Sequence, residues 1–188
     1  IYLMKEYKLP IGCDVPETII LADGDFPSHP LALEWLRQCP YVVCCDGAAN
    51  TYIRSGRMPE AIVGDGDSLL PDIKERYASL IHSEAEQETN DLSKAFRFCL
   101  SQERKRITIM GATGKREDHT IGNVSLLADY MEQAEVSMMT DYGIFVPIRE
   151  DSMFESYIGQ QISVFNMNST ALSAEGLAYP LSVFTNWW

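Results

Sequence analysis

The sequence predicts an α/β fold on a mostly parallel sheet, followed by an all-β region. Three observations lead there. From Thr18 to about Asp141, short apolar runs alternate with amphipathic helical patterns, as in parallel strands joined by helices. Polar residues cluster just beyond the ends of those apolar runs. After Tyr142 the alternation stops, and β-rich pieces separated by turn residues take over.

Taken in order, "TIILADG" reads as a strand and His29 to Gln38 as a helix. "YVVCCDGAAN" is a β-rich run ending in small and polar residues, with a short helix following to Gly56. "AIVGDGD" is a further strand and turn, and "PDIKERY" is a helix opened by Pro71. In "NDLSKAFRFCLSQ", Leu92, Ala95, Phe96, Cys99 and Leu100 recur at helical spacing. "RITIMGATG" runs from a buried strand into a glycine turn. "DHTIGNVSLLADYM" is a helix with Asp118 near its start, and "EVSMMTD" closes the series. Beyond Tyr142, "YGIFVPIRE", "SMFESYIG", "QQISVFNMNST" and "YPLSVFTNWW" read as strands.

A chain of 188 residues, 46% hydrophobic and 22% charged, can bury a full core as one domain, or one domain with a small appendage. Its net charge of -12 argues against a nonspecific nucleic-acid surface and against an anionic membrane surface. An anionic small ligand remains compatible, because a bound cation inverts the local field. The five cysteines include no CxxC pair, and adjacent Cys44 and Cys45 lie in an apolar run, as reduced buried thiols do. No apolar stretch reaches the roughly 18 residues of a membrane span, and the first residues lack the apolar core of a signal peptide. A soluble, cytoplasmic protein is expected.

The acids carry the functional reading. Asp23 and Asp25 follow "IILA", Asp46 follows "VVCC", and Asp65 and Asp67 follow "AIV". Gly111, Thr113, Gly114, Arg116 and Asp118 follow "ITIM". If the strands are parallel, all of these share the rim at the strands' carboxyl ends, where open α/β sheets bind ligands. Converging carboxylates need a cation, and oxygen ligands suit Mg²⁺, which takes one or two carboxylates and fills its other positions with water and phosphate. Asp23 and Asp25 read as turn residues, and His119 as structural. "GATGK" fails the P-loop spacing but leaves a glycine turn before a helix, whose amides suit a phosphate.

With these blocks in place, the sequence resembles the thiamine pyrophosphokinase family. "CDGAAN", "IVGDGDS", "QETNDLSKAF", "ITIMGATGKREDHTIGNVSLL" and "EGLAYPL" occur in the family's order, from about Ile19 to Pro180. The resemblance implies a Rossmann-like three-layer α/β catalytic domain over residues 1–141 and a β-sandwich thiamine-binding domain over 142–188. It expects that sandwich to be incomplete at its C-terminal end. It implies a homodimer with shared active sites, with thiamine and ATP as substrates and neither nucleic acid nor membrane as partner. The implied reaction is pyrophosphoryl transfer from Mg-ATP to the thiamine hydroxyl, giving thiamine diphosphate and AMP.

Matched position by position, Asp65, Asp67 and Asp91 resemble the family's catalytic, Mg²⁺-binding acids. Asp46 and Asp118 resemble the other acids of the nucleotide site, and Gln87 a position near the thiamine pyrimidine. Lys94 and Arg116 are candidate phosphate contacts, as point charge and planar fork. Thr113 and Asn123 complete the nucleotide rim. The sequence departs from the family at Gly66, where a larger residue is common between the two acids, and more mildly before the third acid, where the family's usual acid and threonine appear here as Glu88 and Asn90. Two other readings of the rim stay open: a nucleotide-sugar transferase using the Asp65-Gly66-Asp67 pair, and a non-enzymatic metal-binding module.

Overall fold

The computed structural model describes residues 4–10, 14–84, 86, 88–167, 172–179 and 181. In chain order the elements are β1 (Lys5–Tyr7), β2 (Thr18–Leu21), α1 (Pro30–Gln38), β3 (Val42–Cys45), α2 (Ala48–Arg54), β4 (Ala61–Val63) and α3 (Pro71–Arg76). A 3₁₀ turn (Ala78–Leu80) leads into β5 (Ile81–His82), followed by α4 (Asp91–Ser101), β6 (Arg106–Met110), α5 (Glu117–Tyr130), β7 (Glu135–Met139), β8 (Ile144–Phe145) and β9 (Ser152–Phe154).

Seven strands form the main sheet in the order β5-β4-β3-β2-β6-β7-β8. Every neighbouring pair is parallel except β7 with β8. The mixed α/β architecture with a mostly parallel sheet is therefore as the sequence predicts. Each expected strand and helix from Thr18 to Met139 is present, and the short β5 and its preceding turn are additions.

Alternation along each strand divides the interior into two cores. Ile20, Val43, Cys45, Val63, Ile107 and Ile109 face α4 and α5, where Phe96 stacks on Tyr130 at 3.9 Å between ring centroids. Ile19, Leu21, Val42, Cys44, Ile62 and Met110 face the opposite way, against Trp35, Leu36, Tyr52 and Ile73 of α1, α2 and α3. Both faces are covered, so the strands are near-continuous apolar runs. Cys44 and Cys45 therefore enter different cores. Both are free thiols, as are Cys39 and Cys99, while Cys13 lies outside the described residues. No helix among the described residues is long and apolar enough to cross a membrane.

The C-terminal part departs from the reading at particular places. "YGIFV" supplies β8, which pairs antiparallel with β7 and so extends the main sheet. β9, from "SMF", pairs in parallel with N-terminal β1, with Tyr7 stacked on Phe154 at 4.6 Å. Residues 155–167, including most of "QQISVFNMNST", adopt no regular strand, and most of "YPLSVFTNWW" lies outside the described residues. Strand pairing is non-local, and β-rich composition does not name the partner.

Candidate active site at the switch-point rim

Strand order runs outward from β2 in one direction through β3, β4 and β5, and in the other through β6 and β7. The β2–β6 junction is therefore the topological switch point, where loops leave for opposite faces and a crevice opens. The loops after these two strands are zipped together. The Gly24 amide donates to the Gly111 carbonyl at 2.6 Å, and the Asp25 amide to the Thr113 carbonyl at 2.9 Å. A Cβ on Gly24 would stand 2.4 Å from both carbonyl oxygens, so only glycine permits this approach. Gly114, at φ +77°, is equally constrained: its Cβ would fall 2.0 Å from Oδ2 of Asp25.

A crevice of about 300 Å³ opens beside the zipped loops, with Asp23, Asn90, Asp91, Lys115, Arg116 and Asn123 among the side chains in its wall. A smaller one of about 140 Å³ lies across Asp23 and Lys115, towards Asp25 and Thr51. Asn90 caps α4 by accepting the Ser93 amide at 2.9 Å, and its Nδ2 donates to Asn123 at 3.2 Å. Asn123 in turn donates to the Ala112 carbonyl at 2.8 Å. This chain of bonds fixes the starts of α4 and α5 against the end of β6. Lys94, almost wholly buried one turn into α4, donates to Asp91 at 3.2 Å.

Asp46 is the electrostatic centre of the rim. It follows β3 in a left-handed conformation, at φ +25°, and is buried. Its Oδ2 accepts the Ser68 amide at 3.0 Å, while Oδ1 is buried without a hydrogen-bond partner. Burial pushes its carboxyl above the usual range; the Ser68 amide pulls it back, and the charges of Asp91 and Asp65 push it further up. A buried carboxylate with one unpartnered oxygen, in the field of two other acids, favours a cation.

Asp65 and Asp67 sit on the exposed turn after β4. Asp65 accepts the Asp67 amide at 3.1 Å, and Lys74 holds the turn by donating to the Gly66 carbonyl at 2.9 Å. Asp118 pairs with Arg116 through Nε at 3.1 Å and through Nη2. The Arg116 hydrogen bond holds the Asp118 carboxyl below its usual range.

The structure thus brings Asp91, Arg116 and Asn123 to the crevice wall, with Lys94 on Asp91 and the charges of Asp91 and Asp65 felt at Asp46. Asp65, Asp67, Asp118 and the Thr113 side chain are not in that wall among the described residues, and Gln87 lies outside them. No three acidic, His or Cys side chains among the described residues are gathered closely enough to hold a metal ion unaided. Asp23 and Lys115 were missed as site residues. Asp23 did follow an apolar run, but β2's central place in the sheet depends on its pairing with β3 and β6. Asp141, outside both crevices, accepts the Ser28 and His29 amides at 2.9 Å each and ties the end of β7 to the loop before α1.

Fold and rim together define an α/β protein with a polar crevice, lined by both acids and cations, at the switch point of its sheet. The chain belongs to the thiamin pyrophosphokinase family: residues 32–139 match the family's catalytic domain and residues 143–188 its substrate-binding domain. It is 30% identical to thiamine pyrophosphokinase 1 of Oryza sativa subsp. japonica over 55% of this chain and 49% of that protein. It is 34% identical to thiamine pyrophosphokinase of Bacillus subtilis over 44% of this chain and 40% of that one. The chain spans about half the length of the curated relatives it matches. Among solved structures, thiamin pyrophosphokinase from Geobacillus thermodenitrificans superposes with a TM-score of 0.53 at 27% identity, covering 65% of this chain and 58% of that one. The yeast enzyme gives a TM-score of 0.59 at 19% identity, covering 74% and 64%, and so speaks for the fold. The sugar-transferase and binding-module readings gain nothing from these comparisons.

Proposed function

We propose that the chain transfers a pyrophosphoryl group from Mg-ATP to the hydroxyl of thiamine, giving thiamine diphosphate and AMP. Beyond family membership, the observation that carries this reading is the buried, unpartnered Oδ1 of Asp46 among the charges of Asp65 and Asp91. That donor set fits Mg²⁺, which needs only one or two carboxylates from protein and completes its shell with water and phosphate. Asp65, Asp67 and Asp91 are the acids that would hold the ion, one or two at a time with water and phosphate, since no three described acids are gathered closely enough to hold it unaided, and Asp46 would add negative charge. The ion, when bound, neutralises phosphate oxygens during the transfer.

The chain's own residues then position and neutralise. Lys94 orients Asp91 from inside α4. Arg116 uses two of its donors on Asp118 and keeps the others free for phosphate. Asn90 and Asn123 hold the two helix starts at fixed spacing, which matters because phosphoryl transfer depends mainly on alignment. Thr113 belongs to the nucleotide rim, and Gln87 to the thiamine ring.

In this reading residues 1–141 are the Rossmann-like catalytic domain, and residues 142–188 belong to a β-sandwich that contributes the thiamine pocket. The protein acts in the cytoplasm, in keeping with the four free cysteines among the described residues. It works as a homodimer with shared sites, in keeping with exposed Met153, Tyr157, Ile158 and Ile162 in its C-terminal part. The test is AMP release from ATP and Mg²⁺ with and without thiamine. Thiamine-dependent AMP with an equal yield of thiamine diphosphate is expected; ADP as the nucleotide product would overturn the reading.

A further inference from the structure

Lys115 occupies a distinctive place at the switch point. It adopts a left-handed backbone, at φ +57°, in a loop where the flanking Gly114 is also left-handed. That conformation is unfavourable for any residue with a Cβ, and glycine would adopt it freely. The side chain crosses to the opposite loop, where Nζ donates to the Asp23 carbonyl at 3.0 Å and to its carboxylate at 3.2 Å. This ion pair is about half exposed on both sides, 54% and 48%, so it contributes little to stability. A strained backbone supported by a weak surface pair calls for a functional reason.

Position supplies one. Lys115 lines both crevices at the switch point, standing on the partition between them. Two other cations of the rim already hold an acid: Lys94 is buried on Asp91, and Arg116 forks two of its donors onto Asp118. Lys115 is a flexible point charge on a half-exposed stem, able to turn from Asp23 to an incoming anion without uncovering a buried acid.

We propose that Lys115 is a ligand-contacting residue for the nucleotide's polyphosphate, parked on Asp23 until the phosphates arrive. The inference rests on the nucleotide reading of the crevice and deepens it. The left-handed backbone aims the ammonium across the gap between the β2 and β6 loops, and Asp23 holds it at the boundary of the two crevices.

The test is calorimetric titration of Mg-ATP into the chain and into Lys115→Gly and Lys115→Arg, with thermal melting of each. Lys115→Gly removes the charge and relieves the backbone, so its melting temperature should match or exceed that of the parent chain. Its ATP affinity should fall about tenfold, the loss of one charge-assisted hydrogen bond. Lys115→Arg should keep the affinity within about threefold, since it keeps the charge. Unchanged ATP affinity in Lys115→Gly would overturn the proposal, whatever the melting temperature does. A lower melting temperature with unchanged affinity would mark the pair as purely structural. Thiamine-dependent AMP formation is measured alongside: its absence with a Lys115-dependent ATP affinity would sink the proposed reaction alone, and its presence with a Lys115-independent affinity would sink this inference alone.

Discussion

Replacing Asp46 by Asn should move stability and ligand response in opposite directions. The carboxylate is buried, with one oxygen on the Ser68 amide and the other without a partner. Asparagine retains an oxygen for Ser68, suits the left-handed backbone, and puts an uncharged donor beside the negative charges of Asp65 and Asp91. An unpaired buried polar group costs about 1–3 kcal/mol. Removing the charge should therefore stabilise the ligand-free chain by about 1 kcal/mol, a rise of roughly 3 °C in Tm for this chain length. The pH dependence has a definite sign. Because the folded-state pKa is raised, the neutral carboxyl binds its proton more tightly in the folded chain than in the unfolded one. That stabilisation is fully present below the unfolded pKa and is lost as pH rises through the folded value. The advantage of Asp46→Asn is thus largest near neutrality and shrinks towards about pH 4. The assay is thermal melting from acid to neutral pH in chelator, repeated with Mg-ATP, which should stabilise the variant less than the parent. A variant that melts below the parent at neutral pH in chelator would refute the electrostatic argument for this site.

Asp65→Ala or Asp67→Ala should lower turnover at least roughly 100-fold, the scale for removing a major electrostatic element. Circular dichroism should stay unchanged, because both side chains are exposed on a turn; near-normal turnover in both would remove the metal assignment. Gly24→Ala should cost about 2 kcal/mol in urea unfolding, since its Cβ would lie 2.4 Å from two carbonyl oxygens that cannot retreat without unzipping the rim; an unchanged midpoint counts against the zipped loops. Cys44, Cys45 and Cys99 should resist alkylation of the folded chain near pH 8, because burial pushes all three thiols up, Cys99 to about 12. Peptide mapping reads this directly, and native-state labelling as fast as in urea would contradict the packing.

What the sequence determined by itself was local and periodic. "TIIL", "VVCC", "AIV" and "RITIM" are strands because both faces of each are buried, and that requirement is written into consecutive apolar residues. Helices α4 and α5 announce themselves through spacing, and the acids beyond the strand ends mark a rim once parallel pairing is assumed. Tertiary structure decided what depends on neighbours. That β2 sits at the switch point follows from its pairing with β3 on one side and β6 on the other, and this promotes Asp23 from turn residue to crevice wall. That β8 extends the main sheet while β9 pairs with β1 could not be read from β-rich composition, because pairing partners lie far apart in the chain. Which cation is buried on an acid, which is forked onto one and which stands on the partition is likewise a matter of contact. Periodicity reports which residues must avoid water; it does not report which charges meet once they have.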